Sequence, residues 1–442
     1  MRRFGFLLAN RASNRIARAL RRAVPLAIAV SLAVPGGAAV AGELTETKLY
    51  ALGNRADPQG GVAVDRSGNL YGVTAFGGSE RCRSGGCGVV YQLSPPKAGS
   101  KAWRYSDLHV FEGTPGKDGA RPYGRPLIGR DGALYGTTTV GGAIGAECPL
   151  ASGDLGGCGT VWKLSRNKDG KWTYEILYSF QGEKDGEFPD TALSMDEAGV
   201  LYGTTLNGGL ELTDDCFLIG AGCGTVFSLT PPPRGKKTWT KTTIHFFNRK
   251  QGMWPYAITL AGDGTIYGTT TSSRDQMSNG LAYRLSPPAK RGGKRKFSAI
   301  YSFRNMSDNE PSFEDGPFGA LSLNRQGDLF GVDAGGAIYR LKEPADPKGV
   351  SVREIVQAFD AKNEVWPQLS VNSAGMVMGA TSGGEVFKLL PPRTDGAPWR
   401  YHVLETLAAA AGSPITLGKA GRIYGVAATR SGRLPYVFEL AP

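Results

Sequence analysis

The sequence predicts an all-β, seven-bladed β-propeller built from four-stranded antiparallel blades. Three observations support this prediction. A large apolar residue followed by Gly recurs seven times, from Tyr71-Gly72 to Tyr424-Gly425, at spacings of 46 to 67 residues. Each copy is surrounded by the same four strand-like pieces. The last copy lacks its fourth piece, and a matching piece precedes the first repeat, at Lys48–Leu52. Pairing this N-terminal strand with the last blade closes the ring and removes two exposed sheet edges.

The four pieces follow in a fixed order. In the first repeat an apolar run, Gly61–Val64, precedes a turn that opens with Asp65 and closes with Gly68, the pattern of a tight hairpin. The Leu-Tyr-Gly strand comes next. A Gly-rich loop then leads to a third strand, Gly88–Leu93, rich in β-branched and aromatic residues. The fourth piece is clearest in the second repeat, at Glu175–Phe180. Each repeat therefore predicts one blade.

The first 41 residues have the features of an export signal. They hold seven arginines, no carboxylate and an apolar run at 24–34, and they end in the cleavage-like triplet Ala39-Val40-Ala41. We expect cleavage after Ala41 and a single propeller domain at 42–442 that is secreted or periplasmic, with no stable membrane insertion once the signal is removed. An uncleaved anchor and an amphipathic surface helix are the alternatives for this segment.

The charge of the chain does not favour nucleic acid as a partner. The formal net charge is +12, but removing residues 1–41 leaves 44 basic and 39 acidic side chains over 401 residues. This balance is ordinary for a soluble protein, so no nucleic-acid partner is expected.

With these motifs in place, the chain resembles the Gloeo/Verruco-type (GloVer) propeller repeat of exported bacterial proteins, over roughly residues 45–441. Repeats one to four match closely, whereas Phe330-Gly331-Val332-Asp333 and Met378-Gly379-Ala380-Thr381 lose the double Thr. The resemblance implies the fold and export. It implies no general catalytic activity and supplies no catalytic residues. Kelch-type repeats, which also use double Gly and spaced aromatic residues, are the alternative family.

The six cysteines fall in three local pairs, one in the loop between the second and third strands of each of the first three repeats. Six cysteines allow 15 connectivities. Repeat-local pairing selects the disulfides Cys82–Cys87, Cys148–Cys158 and Cys216–Cys223. A zinc site needs four closely spaced ligands, and a redox-active pair is usually C-x-x-C, so both alternatives are disfavoured. No metal and no cofactor is predicted.

The histidines and carboxylates give no catalytic set, and no catalytic residue is predicted. His109 and His245 fall on the predicted outer strand, as does His402, away from the axis where propeller active sites lie. Asp118, Asp185 and Asp315 recur at one repeat position before Gly, which favours a turn or capping role. Glu187 with Asp190 is the alternative, an acid/base pair that acts on a glycan.

Aromatic residues stand beside a recurrent Pro in the loops that lead into the first strand of five repeats. In a propeller these loops and the cysteine loops open on the same face. Rings at a channel mouth can stack on sugars or anchor a partner protein, and the alternative is that they fill gaps between blades. The candidate ligand-face residues are Tyr123, Phe188, Trp254, Tyr256, Phe318 and Trp366.

From these observations we expect an exported, monomeric, non-catalytic binding or scaffold protein whose partner is a glycan or an extracellular protein. An extracellular enzyme that acts on a polysaccharide or lactone is the first alternative. A structural component of the cell surface is the second.

Overall fold

The computed structural model describes residues 44–53, 57–58, 60–82, 85–113, 118–143, 148, 156–209, 222–271, 280–290, 292–303, 316–342, 351–359, 364–394, 396–428 and 435–442. These residues form seven antiparallel sheets. The predicted signal segment, Cys216 and Asp315 lie outside the described residues. In the described ranges no helix is both long and apolar enough to cross a membrane.

Blades 1 to 4 follow one another along the chain, each with its strands in sequence order from the axis outwards. Blade 1 comprises β2 (Ala63–Val64), β3 (Leu70–Thr74), β4 (Val89–Ser94) and β5 (Arg104–Val110). Blade 2 comprises β6 (Gly119–Ile128), β7 (Leu134–Gly141), β8 (Thr160–Arg166) and β9 (Trp172–Ser179). Blade 3 comprises β10 (Ser194–Met195), β11 (Leu201–Thr205), β12 (Thr225–Thr230) and β13 (Thr240–Phe246). Blade 4 comprises β14 (Thr259–Leu260), β15 (Ile266–Thr270), β16 (Leu281–Ser286) and β17 (Lys296–Ser302).

Blades 5 and 6 repeat this plan, and blade 7 completes the ring. Blade 5 comprises β18 (Pro317–Leu323), β19 (Leu329–Asp333), β20 (Ile338–Lys342) and β21 (Val352–Gln357). Blade 6 comprises β22 (Ser370–Val371), β23 (Val377–Ala380), β24 (Glu385–Leu390) and β25 (Arg400–Thr406). Blade 7 comprises β26 (Ala410–Ala411), β27 (Thr416–Leu417), β28 (Ile423–Ala428), β29 (Tyr436–Ala441) and β1 (Thr45–Ala51). Short 3-10 turns lie at Glu183–Asp185, Arg249–Gln251 and Lys419–Gly421.

The predicted ring closure is confirmed. β1 pairs antiparallel with β29, from Thr45 opposite Ala441 to Ala51 opposite Tyr436. The Leu52 N–H extends the ladder by donating to the Pro435 carbonyl at 2.8 Å. The first strand of the chain is thus the outer strand of the last blade, and β29 has a pairing partner on both sides.

Each blade core depends on the Gly of the Leu-Tyr-Gly strand. The third strand places an aromatic ring directly opposite this Gly: Trp162 faces Gly136 in blade 2, and Tyr283 faces Gly268 in blade 4. A Cβ at Gly136 would overlap the Trp162 ring, so only Gly fits. Trp162 and Tyr283 are at most 1% exposed.

Neighbouring blades are joined by hydroxyl groups of the inner strands. Ser194 of blade 3 donates to the Ile258 carbonyl of blade 4 at 3.2 Å. Ser322 of blade 5 donates to the Leu369 carbonyl of blade 6 at 2.6 Å. The same bond crosses the closure, where Thr416 of blade 7 donates to the Val62 carbonyl of blade 1. The seam between the chain ends therefore has the same contact as the joints inside the ring.

A second kind of contact between neighbouring blades is an edge-to-face pair of aromatic rings. Trp172 packs against Tyr71 with ring centroids 6.1 Å apart, and Trp239 packs against Tyr135 at 6.4 Å. Trp103 and Tyr424 form the equivalent pair across the seam at 6.5 Å. Such pairs contribute roughly 0.5–1.5 kcal/mol each beyond the area they bury.

Candidate functional site

The axis of the propeller holds a channel of about 620 Å³, lined by the inner strands of all seven blades. The chain enters every blade through its inner strand. The loops that connect the outer strand of one blade to the inner strand of the next, here called the interblade loops, therefore all lie at one end of this channel. The channel mouth is the ring of side chains that these loops carry.

One repeat position supplies the channel mouth: the residue after the recurrent Pro of the interblade loop. The residues at this position are Tyr123, Asp190, Tyr256 and Phe318. Tyr123 and Phe318 lie within the inner strands β6 and β18, and Asp190 and Tyr256 precede the inner strands β10 and β14. The repeat thus places one side chain from each of blades 2 to 5 around the opening, whereas Gln368, which also follows a Pro, lines the channel itself.

Three of the six predicted ligand-face residues come together here. The rings of Tyr256 and Phe318 meet edge to face, with centroids 5.9 Å apart. Burial and then the charge of Asp190 raise the pKa of Tyr123 and of Tyr256 to about 12, and Tyr256 also interacts with Tyr123. Phe318 is 40% exposed and can offer its ring to a ligand. Side chains from blades 2 to 5 therefore lie close enough at the mouth to interact.

Asp190 is the acidic member of this surface. Its Oδ1 is buried without a hydrogen-bond partner, and burial raises the pKa of the carboxyl to about 7. The cause of the shift is burial and not the charge of a neighbouring carboxylate. Near neutral pH this carboxyl is therefore present in both forms, as a hydrogen-bond donor and as an acceptor.

The other predicted ligand-face residues lie differently. Trp254 is 39% exposed, beside the mouth in sequence. Phe188 is half-buried and packs against the core between blades 1 and 2. Trp366 packs against the core of blades 6 and 7, and its Nε1 donates to the Ala411 carbonyl at 2.7 Å. The rings of Phe188 and Trp366 therefore fill gaps between blades, as the alternative interpretation of the sequence expects.

The chain matches the family described as the Gloeobacter/Verrucomicrobia repeat over residues 39–212 and again over 148–388. The protein belongs to this family. Its predicted resemblance to a GloVer repeat propeller is thereby confirmed. The matched residues end inside β24, so of blade 7 only β1 lies within the match. The comparison with curated proteins gives no match.

Solved structures similar to this chain share 12% sequence identity with it. Sqt1 from Chaetomium thermophilum has a TM-score of 0.50, with 87% of this chain and 82% of that chain covered. The extracellular domain of a two-component system protein from B. thetaiotaomicron has a TM-score of 0.47, and the match covers 90% of this chain but only 41% of that one. A gluconolactonase from Xanthomonas campestris has a TM-score of 0.40, with 92% and 93% covered. At this identity the similarity shows a shared fold alone.

In this member of the Gloeobacter/Verrucomicrobia repeat family, the cysteine loops hold the interblade loops in place. Arg121 donates its N–H to the Cys87 carbonyl at 2.7 Å, and Phe188 donates to Cys158 at 3.0 Å. Trp254 donates to Cys223 at 3.2 Å. Each donor stands directly before the recurrent Pro. The donors have φ values of 56°, 54° and 50°, a left-handed conformation that is uncommon outside Gly.

Two of the three predicted disulfides are confirmed. Cys82 and Cys87 are bridged with their Cα atoms 5.2 Å apart, and Cys148 and Cys158 are bridged at 5.3 Å. Cys216 lies outside the described residues, so the bridge to Cys223 stays a prediction. Because each cysteine loop bonds to the next interblade loop, the bridges support the residues that carry the channel mouth.

Two of the three recurrent acidic residues before Gly, Asp118 and Asp185, cap their own loops. Asp118 accepts from the Glu112 N–H at 2.7 Å and contacts His109 Nε2 at 3.1 Å. Asp185 accepts from the Gln181 N–H at 2.9 Å. Glu187, the residue of the alternative acid/base pair, accepts from the Glu183 N–H at 3.3 Å through its Oε1. Among the described residues, no three His, Cys, Asp or Glu side chains are grouped to hold a metal ion.

The place of Asp190 at the channel mouth is not among the sequence predictions, in which Asp190 is only the candidate partner of Glu187. The signal that identifies it is its place in the repeat, since Asp190 follows Pro189 just as Tyr123 follows Pro122. Aligning the repeats on the Pro predicts one side chain of each of blades 2 to 5 at the mouth.

Proposed function

We propose that this protein is an exported, non-catalytic binding propeller that takes a glycan at its channel mouth. The observation that carries the proposal is the surface at the mouth, where the charge of Asp190 acts on Tyr123 and Tyr256, Asp57 also acts on Tyr123, and the Phe318 ring contacts Tyr256. Ligand sites are typically apolar and aromatic surfaces with a few placed polar groups. Rings can stack on the apolar faces of a sugar, and a carboxyl can exchange hydrogen bonds with its hydroxyls.

Export is supported by the disulfides and by the sequence of residues 1–41. Structural disulfides persist in oxidising compartments and are rare in the cytosol of mesophiles. The Arg-rich segment, the apolar run at 24–34 and the small residues that end at Ala41 have the order of a secretory signal.

Binding is favoured over catalysis by the electrostatics of Asp190. Glycoside hydrolysis uses two carboxyl groups that are roughly 5–10 Å apart, and their mutual charge tunes one of them. At this mouth burial alone raises the pKa of Asp190. Its neighbours on both sides in the ring, Tyr123 and Tyr256, are phenols whose own pKa values are raised.

A glycan array followed by calorimetry on the oxidised protein tests the proposal. We expect saturable binding of one glycan class, weakened about tenfold or more in Tyr256→Ala and Phe318→Ala, since rings in a site centre carry most of the binding free energy. Phe246→Ala is the matched control, because Phe246 is 37% exposed against 40% for Phe318 but lies on the outer strand β13.

Three outcomes contradict the proposal. Release of shortened or ring-opened products from a bound glycan or lactone would support the enzymatic alternative. An array without any binding would support a structural role. Binding that Phe246→Ala weakens as much as Phe318→Ala would place the ligand elsewhere on the surface.

A further inference from the structure

The channel below the mouth carries one unbalanced charge. Among the described residues that line it, Arg125 is the only charged side chain. The register of the inner strands aligns Arg125 with small or neutral residues in the other six blades. In order from blade 1, skipping blade 2, these are Gly61, Ala192, Ala257, Ala320, Gln368 and Pro414. A single blade therefore departs from the symmetry of the repeat by placing a cation in the channel.

The guanidinium of Arg125 is poorly satisfied by the protein. Its Nη1 donates to Thr416 Oγ1 at 3.2 Å. The side chain of Arg125 thus extends from blade 2 past blade 1 and contacts blade 7. The Thr416 hydroxyl donates in turn to the Val62 carbonyl, so it has no proton left to donate. An arginine side chain has five N–H donors in a planar fork, and among the described residues only one of them has an acceptor.

No carboxylate of the described residues offsets the charge of Arg125. Burial lowers the pKa of Arg125, and no carboxylate contributes to the shift, Asp190 included. A guanidinium nevertheless stays protonated in proteins. Arg125 is partly buried, and a partly desolvated charge is stabilised when it is paired with an opposite charge. The free donors of Arg125 are therefore available to an anion that enters the channel.

We infer that the axial channel binds a small molecule with a carboxylate or phosphate group, held by the guanidinium of Arg125. A planar fork of donors matches both oxyanions through two parallel hydrogen bonds. The Gln368 amide, at the same repeat position in blade 6, can donate a further hydrogen bond. A volume of about 620 Å³ lies in the range of small-molecule sites. This site is separate from the proposed glycan surface and does not rest on it.

Calorimetric titration of the oxidised protein with inorganic phosphate and, separately, with glucuronate at low salt tests the inference and distinguishes the two oxyanions. We expect one site per chain for at least one probe. Affinity falls about tenfold or more in Arg125→Gln, which keeps a polar side chain but removes the charge and the fork. Arg125→Lys retains part of the affinity because it keeps the charge.

Arg130→Gln is the matched control. Arg130 lies five residues along the chain in the β6–β7 turn, outside the channel, where it pairs with Glu197 at 3.3 Å. We expect this variant to bind like the wild type. Equal affinity in Arg125→Gln and wild type would overturn the inference. So would the absence of saturable binding of both probes by a wild-type protein whose thermal unfolding is cooperative.

Discussion

Replacing Asp190 with Asn removes the ionisable group of the channel mouth while keeping its size and polarity. In the folded protein burial raises the pKa of this carboxyl from 3.8 to about 7. A group whose pKa is higher in the folded state binds more protons there than in the unfolded chain between these two pH values. The free energy of unfolding therefore falls as the pH rises from about 4 to 7.

The size of the effect follows from the shift. One pKa unit corresponds to ~1.36 kcal/mol, so a shift from 3.8 to about 7 makes the ionised carboxyl cost the folded state up to about 4 kcal/mol above pH 7. Below pH 4 the carboxyl is neutral in both states and costs nothing. The Asn side chain is neutral at every pH. The stability of Asp190→Asn relative to wild type should therefore increase with pH by up to about 4 kcal/mol.

Urea unfolding of both proteins at a series of pH values from 4 to 8.5 measures this difference directly. All other titrating groups are common to the two proteins and cancel in the difference. Asp169→Asn, in the exposed β8–β9 turn, is the control for the exchange of an Asp for an Asn. A stability difference for Asp190→Asn that does not change with pH would refute the reasoning.

Three further predictions concern the ring and its loops. Leu49→Ala on β1 should lower the unfolding free energy by about 2–4 kcal/mol, since Leu49 is buried with Val62 and Tyr424 at the seam. Urea unfolding measures this loss, and a loss under about 0.5 kcal/mol would contradict the ring closure. Thr416→Val should lower the unfolding free energy by about 1 kcal/mol, because it removes the hydrogen bond to the Val62 carbonyl across the seam. Ser322→Ala, which removes the equivalent bond inside the ring, should have the same effect. If Ser322→Ala is destabilising and Thr416→Val is not, the seam is not held by the same contact as the other joints. Replacing Cys82 and Cys87 with Ser should lower the unfolding free energy by about 2 kcal/mol, and reductant should no longer affect the loop that this disulfide closes. An unchanged unfolding midpoint would contradict a stabilising role of the disulfide.

The fold could be predicted from the sequence because the repeat carries it. The final repeat stops after its third strand, and the missing fourth strand is recognisable at Lys48–Leu52, so β1 could be assigned to blade 7 before any coordinates. The disulfides could be predicted for the same reason, since their cysteines share one repeat position. Local patterns were sufficient wherever each blade obeys the common plan.

The candidate sites could be predicted only in part, because they lie where individual blades depart from the plan. The raised pKa of Asp190 depends on burial by neighbouring blades that are distant in sequence. The left-handed conformations of Arg121 and Trp254 depend on carbonyl groups of the preceding blade. Whether an aromatic ring faces the mouth, as Phe318 does, or a core, as Trp366 does, is decided by packing between blades.

The most direct test of the proposed binding surface is hydrogen–deuterium exchange of the protein with and without a glycan that binds on the array. The account predicts added protection in the interblade loops that carry the mouth, at 121–126, 188–193 and 254–258. It predicts no change in the hairpin turns at the opposite end of the channel, such as 65–69 and 131–133. Protection confined to those turns or to the outer strands would contradict it.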